Sequence, residues 1–197
     1  MVYEDEVTVE IETGLEEFKE YLKKLNFKIE EEYYINDIYM IKKDYEIKGN
    51  YLEALKNCVL IRSIVDSNGE KNLITYKSKE YNEKNEIIKQ GKTDCRVYNV
   101  MDAQKLLQDI GYKELIRICD KITVCSNGND EFALQEVNDK HVYIEIEAKC
   151  NYINKVYSGI DEMKDVIKKY NIKIKGDNYF AKKAENELIE KYGKKGV

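Results

Sequence analysis

Five residues late in the chain set the terms for the fold: Tyr143, Ile144, Glu145, Ile146 and Glu147 alternate without a break between polar and apolar. A strand sends successive side chains to opposite faces. Tyr143, Glu145, Glu147 and Lys149 therefore share one face, and Val142, Ile144, Ile146 and Ala148 form an apolar back. The N-terminus repeats the pattern, with Glu4, Glu6, Thr8, Glu10 and Glu12 on one parity and Val7, Val9 and Ile11 on the other. Two strands from opposite ends of the chain thus carry rows of carboxylates, which repel one another unless cations or water lie between them.

A chain of 197 residues fits one domain and is long enough to bury a sizeable core. Its net charge of −5 speaks against a nucleic-acid partner, and its 36% of charged residues form no long single-sign block of the kind found in disordered tails. No apolar run approaches the ~20 residues of a bilayer span, and the first residues lack the basic and then apolar pattern of a signal peptide. A cytoplasmic protein with no membrane partner is expected. Cys58, Cys95, Cys119, Cys125 and Cys150 are odd in number and contain no Cys-x-x-Cys, so free thiols are expected. His141 is the only histidine, which removes most hydrolytic triads and histidine-ligated metals. Carboxylates, lysines and arginines remain for chemistry. Proline is absent where usage of about 5% predicts roughly ten, a compositional bias and not a functional signal.

Leu15, Phe18, Leu22 and Leu25 recur at helical spacing and predict an amphipathic helix over 15–25. Residues 28–41 read as one or two strands, with Asn36 and Asp37 at a bend, and residues 51–55 as either a short helix or a loop. Residues 57–65 and 71–79 form a hairpin about a turn at 66–69, with Arg62 in its first strand and Thr75 and Lys77 on one face of its second. Residues 80–91 read as a polar connection, after which Lys92, Asp94 and Arg96 alternate with Thr93, Cys95 and Val97. A helix over 101–110 ends at Gly111, and residues 115–125, which carry Arg117 and Lys121, pair through a turn at 126–129 with residues 131–137. Val156, Ile160, Met163, Val166 and Ile167 mark a further helix, and residues 181–192 a last one. The fold class is α+β. Its ionic strand faces have two solutions, an open sheet with that face in water or a closed barrel with a charged, hydrated interior.

A polyphosphate needs several Lys or Arg donors, and its divalent cations need hard carboxylate oxygens. Arg62, Lys77, Lys92, Arg96, Arg117 and Lys121 are the candidates for phosphate contacts, and Glu6, Glu10, Glu145 and Glu147 those for metal. The bland alternative is that all of these charges sit on solvated strand faces. Gly91, Lys92 and Thr93 do not form a phosphate-binding loop, because that motif needs glycine where Glu86 stands.

Taken in order, Asp37-Ile38-Tyr39, Leu60-Ile61-Arg62, Ile74-Thr75-Tyr76-Lys77, Ile110-Gly111-Tyr112 and Ile144-Glu145-Ile146-Glu147 resemble the CYTH superfamily. These triphosphate tunnel metalloenzymes include class IV adenylyl cyclases, thiamine triphosphatases and inorganic triphosphatases. The resemblance implies an eight-stranded antiparallel β tunnel, closed or nearly closed, over residues 1–150, with C-terminal helices in 151–197 packed on the same domain. It also implies Mg²⁺ or Mn²⁺ as cofactor, a substrate such as ATP, tripolyphosphate or thiamine triphosphate, and, by analogy, a homodimer. Arg62, Lys77 and Lys121 match the family's phosphate-binding positions, and Glu145 and Glu147 its C-terminal metal pair. The N-terminal Glu-x-Glu-x-Lys motif fits in two registers, Glu4, Glu6 and Thr8 or Glu10, Glu12 and Gly14. Both lack the lysine that in the family activates the attacking water. Leu60 stands where arginine is usual, Gln135 where aspartate is usual, and Lys92, Asp94 and Arg96 keep only part of an Arg-x-Glu-x-Glu pattern. The expected function is a divalent-metal-dependent enzyme acting on a triphosphate by hydrolysis or cyclisation. The alternative is a catalytically degenerate module that binds a nucleotide or polyphosphate without turnover.

Overall fold

The computed structural model describes residues 6–81 and 87–193, and for 79–81 and 87–90 the backbone alone. Glu4 lies outside the described residues. The chain order is β1 (Glu6–Glu10), α1 (Leu15–Lys24), β2 (Lys28–Lys42), α2 (Tyr51–Lys56), β3 (Val59–Asp66), β4 (Gly69–Tyr81), β5 (Ile87–Val97), α3 (Val100–Asp109), β6 (Tyr112–Ser126), β7 (Glu131–Val137), β8 (His141–Glu147), α4 (Ile160–Lys169) and α5 (Lys183–Tyr192). The eight strands form one antiparallel sheet in the order β1-β8-β7-β6-β2-β3-β4-β5, which makes the fold α+β. Among the described residues no helix is long and apolar enough to cross a membrane.

Three local expectations change and one open alternative is resolved. β2 runs unbroken through Asn36 and Asp37, because Asp37 is taken up by Arg62 directly across the ladder rather than bending its own backbone. Residues 51–56 are helical because Asn50 caps them, its Oδ1 accepting from the Glu53 N–H at 3.0 Å. Residues 87–91, expected in a connection, belong to β5, and residues 82–86 lie outside the described residues. The helix expected from Val156 begins at Ile160, and Val156 is instead exposed in an isolated bridge to Lys149.

The chain divides into two compact units, and the boundaries at Tyr33/Tyr34 and Cys119/Asp120 fall inside the two long strands β2 and β6. The first unit holds residues 6–33 and Asp120–Ala181. In it Val7 pairs with Ile146 and Val9 with Ile144, Ile144 with Leu134, and Leu134 with Thr123. That apolar face is closed by Leu15, Phe18 and Leu22 of α1 and Met163, Val166 and Ile167 of α4. Phe27, Phe132 and Tyr170 interlock, Phe27 stacked on Phe132 at 4.9 Å and Tyr170 edge-on to both. A full side chain buried in such a core contributes about 1.5–3 kcal/mol. Residues 173–181 lie along the outer side of β1. The Thr8 N–H donates to Tyr179 O, the Ala181 N–H to Thr8 O and the Lys175 N–H to Glu10 O.

Asp130, fully buried in the turn before β7, ties this unit together. Its Oδ1 accepts from Lys155 at 2.6 Å and the Tyr157 hydroxyl at 3.1 Å, and its Oδ2 from Lys169 and the Tyr170 hydroxyl, both at 2.7 Å. The Asp130 N–H is bound by Asn127 Oδ1 at 3.0 Å, so the turn is held from both sides.

The second unit holds Tyr34–Cys119 and α5. Ile38, Met40 and Ile61 pack against Ala103 and Leu107 of α3, with Val59, Ile74, Val97 and Val100 around them. α3 is capped by Asn99, whose Oδ1 accepts from the Asp102 N–H at 2.7 Å, and it ends at Gly111, whose φ of 98° suits glycine.

Burial pushes the Asp130 carboxyl up, but hydrogen bonds from Lys155, Lys169 and Tyr170 and the Lys155 charge outweigh it and hold the pKa at about 2, against an ordinary 3.8. A folded-state pKa below the unfolded one stabilises at pH above the unfolded value, and that stability is lost as pH falls through the folded one. Urea unfolding should therefore lose about 2 kcal/mol between roughly pH 4 and pH 2 through this residue alone. Asp130→Ala should be less stable by about 2–4 kcal/mol at neutral pH and lack this acid-dependent component.

Candidate functional site

In the first unit the β1–β8 register sets Glu6 opposite Glu147 and Thr8 opposite Glu145, so these four residues form a square on the face turned away from α1 and α4. Gln135 of β7 reaches this face and donates from Nε2 to Glu145 Oε2 at 3.0 Å. Tyr33 joins them from β2. Burial first, and then the Glu145, Glu147 and Glu31 charges, push its hydroxyl well above the usual tyrosine range. Glu31 is itself bound by the Tyr152 hydroxyl at 2.6 Å. Among the described residues, Glu6, Glu145 and Glu147 do not bring three ligand oxygens within 4.8 Å of one another.

This register separates the two placements of the N-terminal acidic motif. Glu6 and Thr8 stand beside Glu147 and Glu145. Glu10 faces Tyr143, and its carboxylate is taken by His141 Nδ1 at 2.8 Å and Lys175 Nζ at 2.7 Å. Burial raises the Glu10 carboxyl, and the Lys175 and His141 hydrogen bonds more than reverse this, leaving it below the usual range. Glu12 is exposed past the end of β1, and Gly14 is the N-cap of α1. Thr8 is 5% exposed and has both backbone groups bonded to the 179–181 segment.

In the second unit the ionic face lies on β3, β4 and β5. Asp37 lies across from Arg62, Arg62 from Leu73, and Leu73 from Arg96. Leu60, Thr75 and Asp94 make the next row, and Lys77 lies directly opposite Lys92. Two carboxylates are threaded among these cations. Arg62 donates from Nε to Asp37 Oδ1 at 2.7 Å and from Nη2 to Asp37 Oδ2 at 2.6 Å. Asp94 lies 3.0 Å from Lys92 Nζ and accepts from the Thr75 hydroxyl at 2.7 Å. Burial raises the Asp94 carboxyl, but the Thr75 and Lys92 hydrogen bonds and the Lys92 and Arg62 charges hold it below its ordinary value. Arg62, Lys92 and Asp94 are therefore one electrostatic group.

Two candidate cations stand outside these sets. Arg117 is exposed and binds Glu114 at 3.0 Å, a carboxylate shared with Gln104 of α3. Lys121 lies opposite Glu136 on the parity of Thr123, which is the helix-covered face and not that of Glu145. Its charge lowers the Glu32 carboxyl as a minor contributor behind the Lys19 hydrogen bond.

Sequence reasoning missed Glu31, Tyr33 and Asp37 as members of these faces. The parity of β2 carried a signal for all three, since 31, 33 and 37 fall on one side of a single strand. The Asp130 cluster left none, because its partners lie up to 40 residues away.

No family model matches the chain, and no curated protein matches it in sequence. Solved structures do resemble it. The PH1819 protein from Pyrococcus horikoshii OT3 is 18% identical with a TM-score of 0.65, covering 96% of this chain and 99% of that one. A conserved hypothetical protein from Pyrococcus furiosus is 18% identical with a TM-score of 0.58, over 89% and 98% of the two chains. A candidate adenylate cyclase from Vibrio parahaemolyticus is 10% identical with a TM-score of 0.54, over 95% and 98%. At these identities the likeness is one of fold.

Gln135 is 4% exposed and neutral beside Glu145. Gln135→Glu would place a buried carboxylate beside the half-buried Glu145 and should destabilise the protein by about 1–3 kcal/mol at neutral pH without divalent cations, measured by urea unfolding.

Proposed function

We propose that this protein binds a triphosphate together with a divalent cation, as members of the CYTH superfamily do, and acts at phosphorus on the bound chain. The observation that carries this is the direct opposition of Lys77 and Lys92 on a face that also holds Arg62 and Arg96. Like charges placed across a ladder cost stability. A polyanion along the row turns that cost into charge-assisted hydrogen bonds. The fold shared with the Vibrio candidate adenylate cyclase supports the same superfamily.

Glu6, Glu145 and Glu147 would hold Mg²⁺ or Mn²⁺. They offer hard oxygen donors, and the opposed Glu6 and Glu147 form a like-charge pair that a cation relieves. Bound there, the cation would neutralise these carboxylates and act as a Lewis acid. Lys77, Lys92 and Arg62 would grip the phosphates and absorb charge on a departing pyrophosphate. Thr8, at the usual lysine position, has no basic group with which to activate water. Cyclisation of a nucleotide needs its own hydroxyl held in line rather than an activated water, so it suits this chain better than hydrolysis. The same threonine, buried and with its backbone bonded on both sides, favours a second reading in which the triphosphate is bound without turnover.

Calorimetric titration with tripolyphosphate and Mg²⁺ should give saturable binding that weakens as salt rises. Lys77→Ala and Lys92→Ala should each weaken it by about tenfold, on the order of 1–2 kcal/mol. Incubation with ATP, tripolyphosphate or thiamine triphosphate and Mg²⁺ or Mn²⁺, following cyclic AMP, pyrophosphate and phosphate separately, decides between turnover and capture. Absence of saturable binding for every triphosphate overturns the proposal.

A further inference from the structure

Arg62 is held more tightly than charge balance requires. Arg62 and Asp37 occupy directly opposed positions on β2 and β3, and their side chains are 12% and 6% exposed. The contact is bidentate, using Nε and Nη2 of the guanidinium on the two oxygens of one carboxylate at 2.7 and 2.6 Å. Two parallel bonds fix the plane of the group as well as its position. A lysine at 62 would satisfy the charge but could not be oriented in this way.

Two effects of Asp37 on an anion oppose each other. Its negative charge repels the anion and partly cancels Arg62. Its grip on one edge of the guanidinium holds the whole group in a single plane. An arginine loosened from its clamp must lose rotamer freedom on binding, which weakens the contact it makes. The burial of both side chains favours the second effect, because a nearly immobile pair already bears the ordering cost in the free protein.

We propose that Asp37 is a positioning residue for anion binding on the β3–β4–β5 face, clamping Arg62 in the plane in which its guanidinium meets a phosphate oxygen. The proposal rests on the assignment of that face as the phosphate-binding one. Its signature is a sign. Removing the Asp37 charge makes the face more positive yet weakens its hold on a polyanion.

Calorimetric titration of the full chain with inorganic tripolyphosphate, at fixed salt and Mg²⁺, tests it in four proteins: wild type, Asp37→Asn, Arg62→Lys and the double variant, each with its melting curve. Asp37→Asn should bind about tenfold more weakly than wild type. In the Arg62→Lys background the same change should make less than about a twofold difference, because a lysine cannot be clamped. Equal or tighter binding by Asp37→Asn overturns the proposal, and so does an equal loss in both backgrounds, which would make Asp37 a structural residue only. Should Asp37→Asn fail to fold, Asp37→Glu keeps the charge and displaces the clamp by one methylene. It should also bind more weakly, and unchanged affinity would overturn the proposal. A wild-type protein that does not bind tripolyphosphate overturns the anion-binding face and the clamp together, a result distinct from binding that ignores residue 37.

Discussion

The register in which β1 meets β8 governs the acidic face. Val7 against Ile146 and Val9 against Ile144 place four side chains with no measurable exposure beneath α1 and α4. The same pairing leaves Glu6 no partner position but Glu147, and Thr8 none but Glu145. A slip of one residue would send the glutamates into the apolar layer and the valines out, at a cost of several kcal/mol for each buried charge. A like-charge pair across a ladder costs only about 0.2–1 kcal/mol. Burial therefore wins by a wide margin, and the carboxylates are held in a repulsive arrangement that they would not adopt alone.

Charge is managed differently at Asp130 and on the β3–β4–β5 face. Asp130 is saturated, with two ammonium groups and two hydroxyls filling the acceptor capacity of one fully buried carboxylate. Nothing there is left to recognise a ligand, and its consequence is a fixed turn. On the ionic face Asp37 and Asp94 answer Arg62 and Lys92, while Lys77 and Arg96 add further positive charge to the same surface. The gathering of four cations on one surface, and not any single ion pair, is what the proposed anion binding rests on.

Much of this could be seen in the chain beforehand, and what could not has a common cause. Period-two alternation gave the faces of β1, β4, β5, β7 and β8, and helical spacing gave the stripe of α1, because both follow from local geometry. α3 forms where expected but buries Ala103 and Leu107 and leaves Met101, Leu106 and Ile110 exposed. The turn at Asn138 and Asp139 was equally legible, and both residues take positive φ, at 50° and 56°. The side of the sheet on which Lys121 ends was not, since parity within β6 means nothing until a cross-strand partner such as Glu136 fixes which face is which. The bend expected at Asn36 and Asp37 erred for a similar reason. Residues with turn propensity stay extended when a partner on the next strand takes their side chains. Val156 misled because an apolar residue at helical spacing counts only if the backbone before Ile160 has already begun to turn.

The pairing of β1 with β8 and with residues 173–181 also dictates the order in which the molecule can be assembled. Residues 6–10 leave the ribosome well before their ladder partners, which lie at 143–147 and 173–181. Strand β1 must wait, unpaired, until those partners have been synthesised. Contacts this distant in sequence slow the folding step that makes them. The hairpin of β3 and β4, joined by a short turn at Ser67 and Asn68, faces no such delay. The β3–β4 hairpin can thus form early in biogenesis, while the β1–β8 pairing that builds the acidic face comes later.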